Sequence, residues 1–417
     1  MQGRRAPARL AGGPPASHTS AIPNRQPPVP MPSLASTDAL QTHARTVSAG
    51  AWSTRLIFLI VGIGTAAWAS LVPYVKARAG LGEAELGLLL LCLGLGSIAA
   101  MPLAGAAVTR FGLRPVLFAG TAAIGLPLPV LATVASPAVL GPALLLFGAG
   151  MGAVDCAMNI QAIAIERAAG RPMMSGFHGL YSLGSLVGAL AAGLLLGVGL
   201  GVEGMALAAA GTVALLCALA TPGMLARAGT AGGPAFAIPR GVVLLIGLLC
   251  CIVFLTEGSV LDWSAVFLVQ DRGVDLARAT LGYAAFSVTM TAGRLTGDRI
   301  VARLGPARIL VVGALLAAAG LALATLVPAW SAALAGYALV GAGCANIVPV
   351  LFTAAGRQTA MPTSVAVPAV TTFGYAGVLA GPAVIGFIAE GTSLPTAFLV
   401  VAAALVGVAA AGRVLRL

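Results

Sequence analysis

The chain has 417 residues, of which 59% are apolar and 8% charged, with a formal net charge of +11. A soluble protein of this length needs a far more polar surface, so the bilayer is the solvent for most of the chain. The basic residues stand singly between apolar runs without interleaved aromatics, a pattern that excludes a nucleic-acid-binding surface.

Residues 1–50 are rich in Pro, Ala, Ser and Arg, with Pro14-Pro15 and Pro27-Pro28. They have no apolar periodicity and no continuous apolar stretch of the kind a secretory signal peptide needs, so a disordered basic tail is expected. From Arg55 onward, apolar runs of bilayer-spanning length alternate with short polar breaks. Six spans are expected in 51–226, near 55–75, 84–108, 114–134, 138–165, 173–198 and 204–224. A linker at 227–240 contains Gly232-Gly233-Pro234. Six more spans are expected in 241–417, near 241–268, 279–302, 307–327, 331–356, 364–388 and 394–412. The expected fold is an all-α membrane protein of twelve transmembrane helices in two six-helix bundles. No segment has the alternation of a membrane barrel. Cys92, Cys156, Cys217, Cys250, Cys251 and Cys344 all lie in apolar runs without metal-ligand spacing, so packing is expected of them, and no disulfide.

The twelve-span reading assigns the termini and five loops to one side. Nineteen arginines fall there, against Lys76, Arg78, Arg272 and Arg278 on the other. The positive-inside bias predicts a multi-pass membrane protein with both termini facing the cytoplasm.

The chain also repeats at a spacing of 193. Arg110-Phe111-Gly112 returns as Arg303-Leu304-Gly305, and Gly148-Ala149-Gly150 as Gly341-Ala342-Gly343. Gly80, Gly120, Gly184, Gly188 and Gly193 return as Gly273, Gly313, Gly377, Gly381 and Gly386. The shared spacing within three separate segments carries more than the count. Two parallel repeats in a membrane point to a transporter with its solute site between the halves. The pairs Gly184/Gly188 and Gly377/Gly381 allow close helix approach, for static packing or for sliding during transport.

The loop Gly105-Ala-Ala-Val-Thr109-Arg110-Phe-Gly112-Leu-Arg114 resembles the loop signature of the major facilitator superfamily, with Thr109 in place of its usual Asp. The second copy, Gly293-Arg294-Leu-Thr-Gly297-Asp298-Arg299, retains the acid–base pair. The resemblance implies a cytoplasmic gating latch at Arg110, Gly112, Arg114, Arg294, Asp298 and Arg299; anchoring by positive charge alone is the competing reading. Asp155-Cys-Ala-Met-Asn159-Ile-Gln161, Ser175-Gly-Phe-His178-Gly-Leu-Tyr181-Ser182-Leu-Gly184 and Glu257-Gly-Ser-Val-Leu-Asp262-Trp263-Ser264 resemble a bacterial subgroup loosely likened to sugar permeases. That likeness implies a transport role and bears only weakly on the substrate.

Of twelve acids, Asp155, Glu257 and Asp262 fall inside or near the membrane region. An ionisable group there costs about 2.5–3.5 kcal/mol, so each should face a cavity or a partner. Glu257 is the first candidate for proton coupling; a solute-binding acid and a structural pair are the alternatives. Asp155 shares a helix face with Asn159, either lining the cavity or forming an interhelical hydrogen-bond cluster. His178, followed by Tyr181 and Ser182, is either a proton relay or a packed donor. Asp262 and Trp263 close the seventh helix as a periplasmic gate or an interfacial anchor. Asn346 and Tyr375 are the second-half cavity candidates, Tyr375 at the repeat position of Ser182.

Lys76 is the only lysine, and no phosphate-binding loop ending in Lys-Ser or Lys-Thr occurs. No catalytic or metal constellation is visible, so neither an enzyme nor a cofactor is expected. The expected partners are a small-molecule solute, protons and the lipid bilayer, in a monomer. Helix 5 has no Pro after its Gly-x3-Gly, and aromatics are sparse, which argues mildly against multidrug efflux. A sensor without net transport would need a large soluble domain, which the sequence does not contain.

Overall fold

The computed structural model describes residues 34–81, 83–226, 238–279 and 281–414. The expected tail through residue 33 and most of the expected linker (227–237) lie outside the described residues. Contacts divide the chain into a unit at Met1–Ala44 and a second at Arg45–Leu417, and the second contains the helices that matter here.

Twelve long helices follow in chain order, with no strand among the described residues: α1 Leu34–Ala79, α2 Glu83–Phe111, α3 Leu113–Thr133, α4 Pro137–Ala169, α5 Met174–Gly197 and α6 Gly201–Ala220. Then come α7 Val242–Gln270, α8 Leu281–Leu304, α9 Pro306–Leu326, α10 Trp330–Arg357, α11 Thr363–Gly391 and α12 Leu394–Val414. Helix α1 begins well before the expected start at Arg55, inside the segment read as irregular. The last proline before it is Pro32, so no proline in Leu34–Gly50 obstructs a helix, and Gly50 and Ala51 are already buried.

Among the described residues, eleven of these helices are both long and apolar enough to cross a membrane. The twelfth, α8, is long enough but too polar, because it carries Arg294, Asp298, Arg299 and Arg303. A helix that polar must turn its charges toward protein or a cavity, and α8 is where the site assembles. Two other helices are interrupted. Proline removes a backbone donor and crowds the carbonyl four residues earlier. Pro127 breaks α3 at Leu126, and Pro349 breaks α10 at Ala345-Asn346.

The 193-residue register is also a register of contacts. A Cβ on Gly148 would strike the Leu93 carbonyl, and one on Gly341 the Phe286 carbonyl, with 93 and 286 again 193 apart. Gly150 packs on Gly120 as Gly343 packs on Gly313. Gly184 and Gly188 seat α5 on α1 at Leu59 and Ile63, while Gly377 and Gly381 seat α11 on α7 at Cys251 and Leu255. Arg78 caps the end of α3 by donating to Leu131 O at 2.6 Å, and Arg272 caps α9 by donating to Ala324 O at 2.8 Å. The turns repeat too: Gly112 and Gly305 enter α3 and α9 with φ of 89° and 80°, which side chains with a Cβ rarely adopt.

Helices of the two halves meet along α5–α8 and α2–α11, and where α10 crosses α4. Gly179 lies against Leu295, Gly105 against Ser364 and Pro368, and Gly356 against Ile163.

Candidate functional site

Arg294 lies about three turns before the end of α8, inside the helix rather than in the loop suggested by the motif. Its side chain is 7% exposed and pairs with Glu257 of α7, 17% exposed, with Nη2 donating to both carboxylate oxygens at 3.3 Å. Nη1 donates to Ser182 Oγ of α5 at 3.2 Å, so one guanidinium ties the two halves together. Two opposite charges side by side each offset part of the other's burial cost. Glu257 therefore has a partner, and Arg294 moves from the latch to the centre of the site.

Asp155 of α4 is half-buried, and among the described residues its carboxylate is hydrogen-bonded by Asn159 Nδ2, at 3.4 Å. Asn159 is fully buried and donates to Asp155 O at 2.8 Å, so it packs within α4 rather than facing the cavity with Asp155. Tyr181 of α5, half-buried, lies near Thr65 of α1 and in electrostatic reach of Asp155 and Arg294. Tyr375 of α11, also half-buried, lies in reach of Asp155 and Tyr181. Tyr283, in the first turn of α8, is exposed and in reach of both Glu257 and Arg294. The structure thus groups two carboxylates, one guanidinium, three phenols and Ser182 from α4, α5, α7, α8 and α11. Tyr283 and Thr65 were missed in the sequence. Tyr283 had a legible signal, as a polar aromatic about three turns before Arg294 on the most polar helix.

Below this group, toward the arginine-bearing ends, α5 and α8 share a polar seam. His178, 8% exposed, is edge-on to Phe58 at 5.0 Å and tilted against Phe352 at 5.8 Å. Asn346 caps the second piece of α10 and donates to Gly293 O at 3.1 Å, with its Oδ1 against Gly297. It is 6% exposed, so it is a buried junction residue and does not line an open cavity. Further along, Asp298 accepts from Gly176 N at 3.0 Å, in the first turn of α5. A carboxylate suits a helix N-terminus, where orphan amides carry positive partial charge. Glu166 of α4, not singled out from the sequence, accepts from Met173 N and Met174 N at 2.8 Å and from Thr353 Oγ1 of α10 at 2.7 Å. Asp298 and Glu166 hold the halves together at this end.

Among the described residues, the remaining expected latch residues are seen in contacts within their own half or exposed. Arg114 donates to Met224 O at 3.1 Å, Arg110 lies over the ring of its neighbour Phe111, and Arg299 is exposed. Thr109 bonds its own helix at Gly105 O. At the other end, Asp262 is exposed and Trp263 packs near Gly386. Gln161 accepts from Leu225 N and donates to Thr54, a structural clasp within the first half.

Twelve helices in two repeated bundles, with ionisable groups gathered between them, define a membrane transporter of the major facilitator type. Residues 54–367 match the family model for the Major Facilitator Superfamily, and the chain belongs to that family. It is 51% identical to an uncharacterised MFS-type transporter of Yersinia pestis over 87% of this chain and 94% of that one. It is 34% identical to the membrane protein MosC of Rhizobium meliloti, over 85% and 87%. Among solved structures, the E. coli fucose:proton symporter FucP superposes with a TM-score of 0.74 at 17% identity, covering 88% of this chain and 98% of that one. At that identity the likeness concerns the fold alone. The chain is a membrane transporter and not an enzyme.

Proposed function

We propose that the protein is a secondary transporter that moves a small polar solute by alternating access, coupled to protons, across a bacterial inner membrane with both termini cytoplasmic. The observation that carries this reading is the Glu257–Arg294–Ser182 link, a buried charge pair that joins the halves, with the Asp155 carboxylate, held by Asn159, in reach of the same Tyr181. The solute would sit between Asp155, Tyr181 and Tyr375 on one side and Glu257, Arg294 and Tyr283 on the other, held by hydroxyl, carboxylate and guanidinium groups. A proton added to Glu257 gives a neutral carboxyl that no longer holds Arg294 as an ion, leaving its donors for solute oxygens and loosening the tie to Ser182. Loss of that proton restores the pair.

The arginine distribution supports the orientation. In that orientation the seam at Asp298 and Glu166 is the closed cytoplasmic gate, and Asp262 and Trp263 border the periplasmic mouth. The fucose:proton and proton:xylose symporters share the fold, which favours hydroxyl-rich solutes as the first to try. The test is a thermal-shift screen of sugars, organic acids, amino acids and drug-like cations, at acid and neutral pH, on wild type and Glu257→Gln. A polar solute that stabilises the wild type with a pH dependence lost in the variant supports the reading. Stabilisation by apolar cations alone would replace it with efflux.

A further inference from the structure

We infer that the transported solute carries a protonated amine, for which Asp155 is the counter-charge. The inference deepens the transporter reading above and rests on it for the place of the solute between the halves.

A charge taken out of water is costly unless another charge or several hydrogen bonds compensate it. In the group between the halves, Glu257 and Arg294 compensate each other at 3.3 Å, and Arg294 Nη1 is given to Ser182. Asp155 is left over. Among the described residues, its carboxylate is bonded by one neutral side chain, Asn159 Nδ2 at 3.4 Å, and by no cation. That contact is long, and the same amide makes its shorter bond, at 2.8 Å, to the Asp155 backbone carbonyl. Basic side chains are placed elsewhere. Arg167, the one arginine of α4, lies about 18 Å further along the helix. Lys76, the only lysine of the chain, stands in the last turn of α1. The missing positive charge therefore comes from outside the protein.

Asp155 is half-buried, so its carboxylate stays open to a solute. Tyr181 of α5 and Tyr375 of α11 lie in its electrostatic reach. A carboxylate among aromatic rings suits an organic cation, with the carboxylate taking the N–H donors and the rings attracting the charge. A neutral polyol would leave Asp155 uncompensated, and a solute bearing only a carboxylate would add a second negative charge. A bare metal ion needs several more oxygens, which transporter helices supply where their backbone is unwound. Helix α4 is continuous from Pro137 to Ala169, so the carbonyls around Asp155 stay in the helix. A proton can occupy Asp155 in the empty cleft. An arriving ammonium displaces it to water, one positive charge for one. The same ammonium occurs in amino sugars, whose hydroxyls would meet Arg294 and the phenols, and in amino acids, whose carboxylate would meet Arg294 once Glu257 is protonated.

The test is a thermal shift of the full chain in detergent at neutral pH with two charge-matched series. One is glucosamine, glucose and glucuronate; the other is alaninol, alanine and lactate. In at least one series an amine-bearing member should stabilise the wild type at a concentration about tenfold or more below its amine-free partners. Asp155→Asn should remove that preference and Asp155→Glu, which keeps the charge, should retain it, a difference that a merely structural acid would not produce. Asp155→Ser replaces Asp155→Asn if the latter does not fold. An effect of glucosamine identifies amino sugars, and one of alanine without alaninol identifies amino acids. The inference is overturned by equal stabilisation from amine-free members, by an amine effect unchanged in Asp155→Asn, or by no amine effect in either series. Stabilisation by sodium chloride that disappears in Asp155→Asn also overturns it, in favour of a metal-ion site. Internal pH in proteoliposomes, measured against protein-free liposomes, separates this inference from the transport reading. A pH change driven by glucose but not by glucosamine keeps proton-coupled transport and removes the amine. Amine binding through Asp155 without any solute-driven pH change keeps the amine and removes the coupling.

Discussion

At the scale of single residues, the central feature is a buried charge pair whose members were read apart. Removing one partner leaves the other charged and unpaired, which typically costs about 3–5 kcal/mol. Arg294→Met and Glu257→Leu should therefore each lower the thermal unfolding temperature strongly. The double variant, which leaves neither charge behind, should recover most of that loss in a double-mutant cycle. Asp155 behaves differently, because among the described residues its carboxylate is bonded by Asn159 of its own helix and by no guanidinium. Asp155→Asn should stay within about 1 kcal/mol of wild-type stability while abolishing solute-induced stabilisation, both read by thermal shift. Glu257 and Asp155 were legible because acids are so scarce in this chain that any at membrane depth stands out. Arg294 was visible too, but the motif drew it into a loop. Only the packing of α7 against α8 shows that it faces Glu257, thirty-seven positions away. Glu166 was hidden because it stands next to Arg167 at a helix end, where a charged residue is ordinary, and its value comes from the fold-back of Met173 and Met174.

At the scale of helices, the twelve spans were legible from apolar length and the repeat from glycine spacing, because bilayer thickness and close backbone approach both act locally on sequence. Helix ends and interruptions were less so. The α10 break at Asn346 depends on Pro349, and the early start of α1 on the mere absence of a proline between Pro32 and Gly50. The contact register gives a sharp test. Gly148 and Gly341 each have no room for a methyl group, so Ala at either should cost about 1–3 kcal/mol through overpacking. Gly193, although it shares the repeat, has nothing near its Cβ position, so Gly193→Ala should be neutral or stabilising by up to about 1 kcal/mol. Unfolding of the three variants in detergent checks both statements. Equal loss at all three would mean that the glycines matter as a class rather than through their contacts.

For the whole molecule, the two halves are tied by Arg294–Ser182 near the middle of α8 and by Asp298–Gly176 and Glu166–Thr353 at the arginine-bearing end. Alternating access requires these end contacts to break, so weakening them should shift the population toward opening there. Thr353→Val removes one hydrogen bond, worth about 1 kcal/mol, or roughly a fivefold shift. It should raise the modification rate of a cysteine introduced by Ile163→Cys, a buried position at that end, in a background free of other cysteines. No change would mean that the contact does not gate. The pairing of distant halves was not legible, since it depends on which helices cross and not on their composition. The measurement that tests the central claim most directly is internal pH in proteoliposomes challenged with the solutes of the screen, comparing wild type with Glu257→Gln. The account predicts a solute-driven pH change in wild type that is lost in the variant while solute binding persists. A pH change of equal size in both would show that Glu257 does not couple protons to transport.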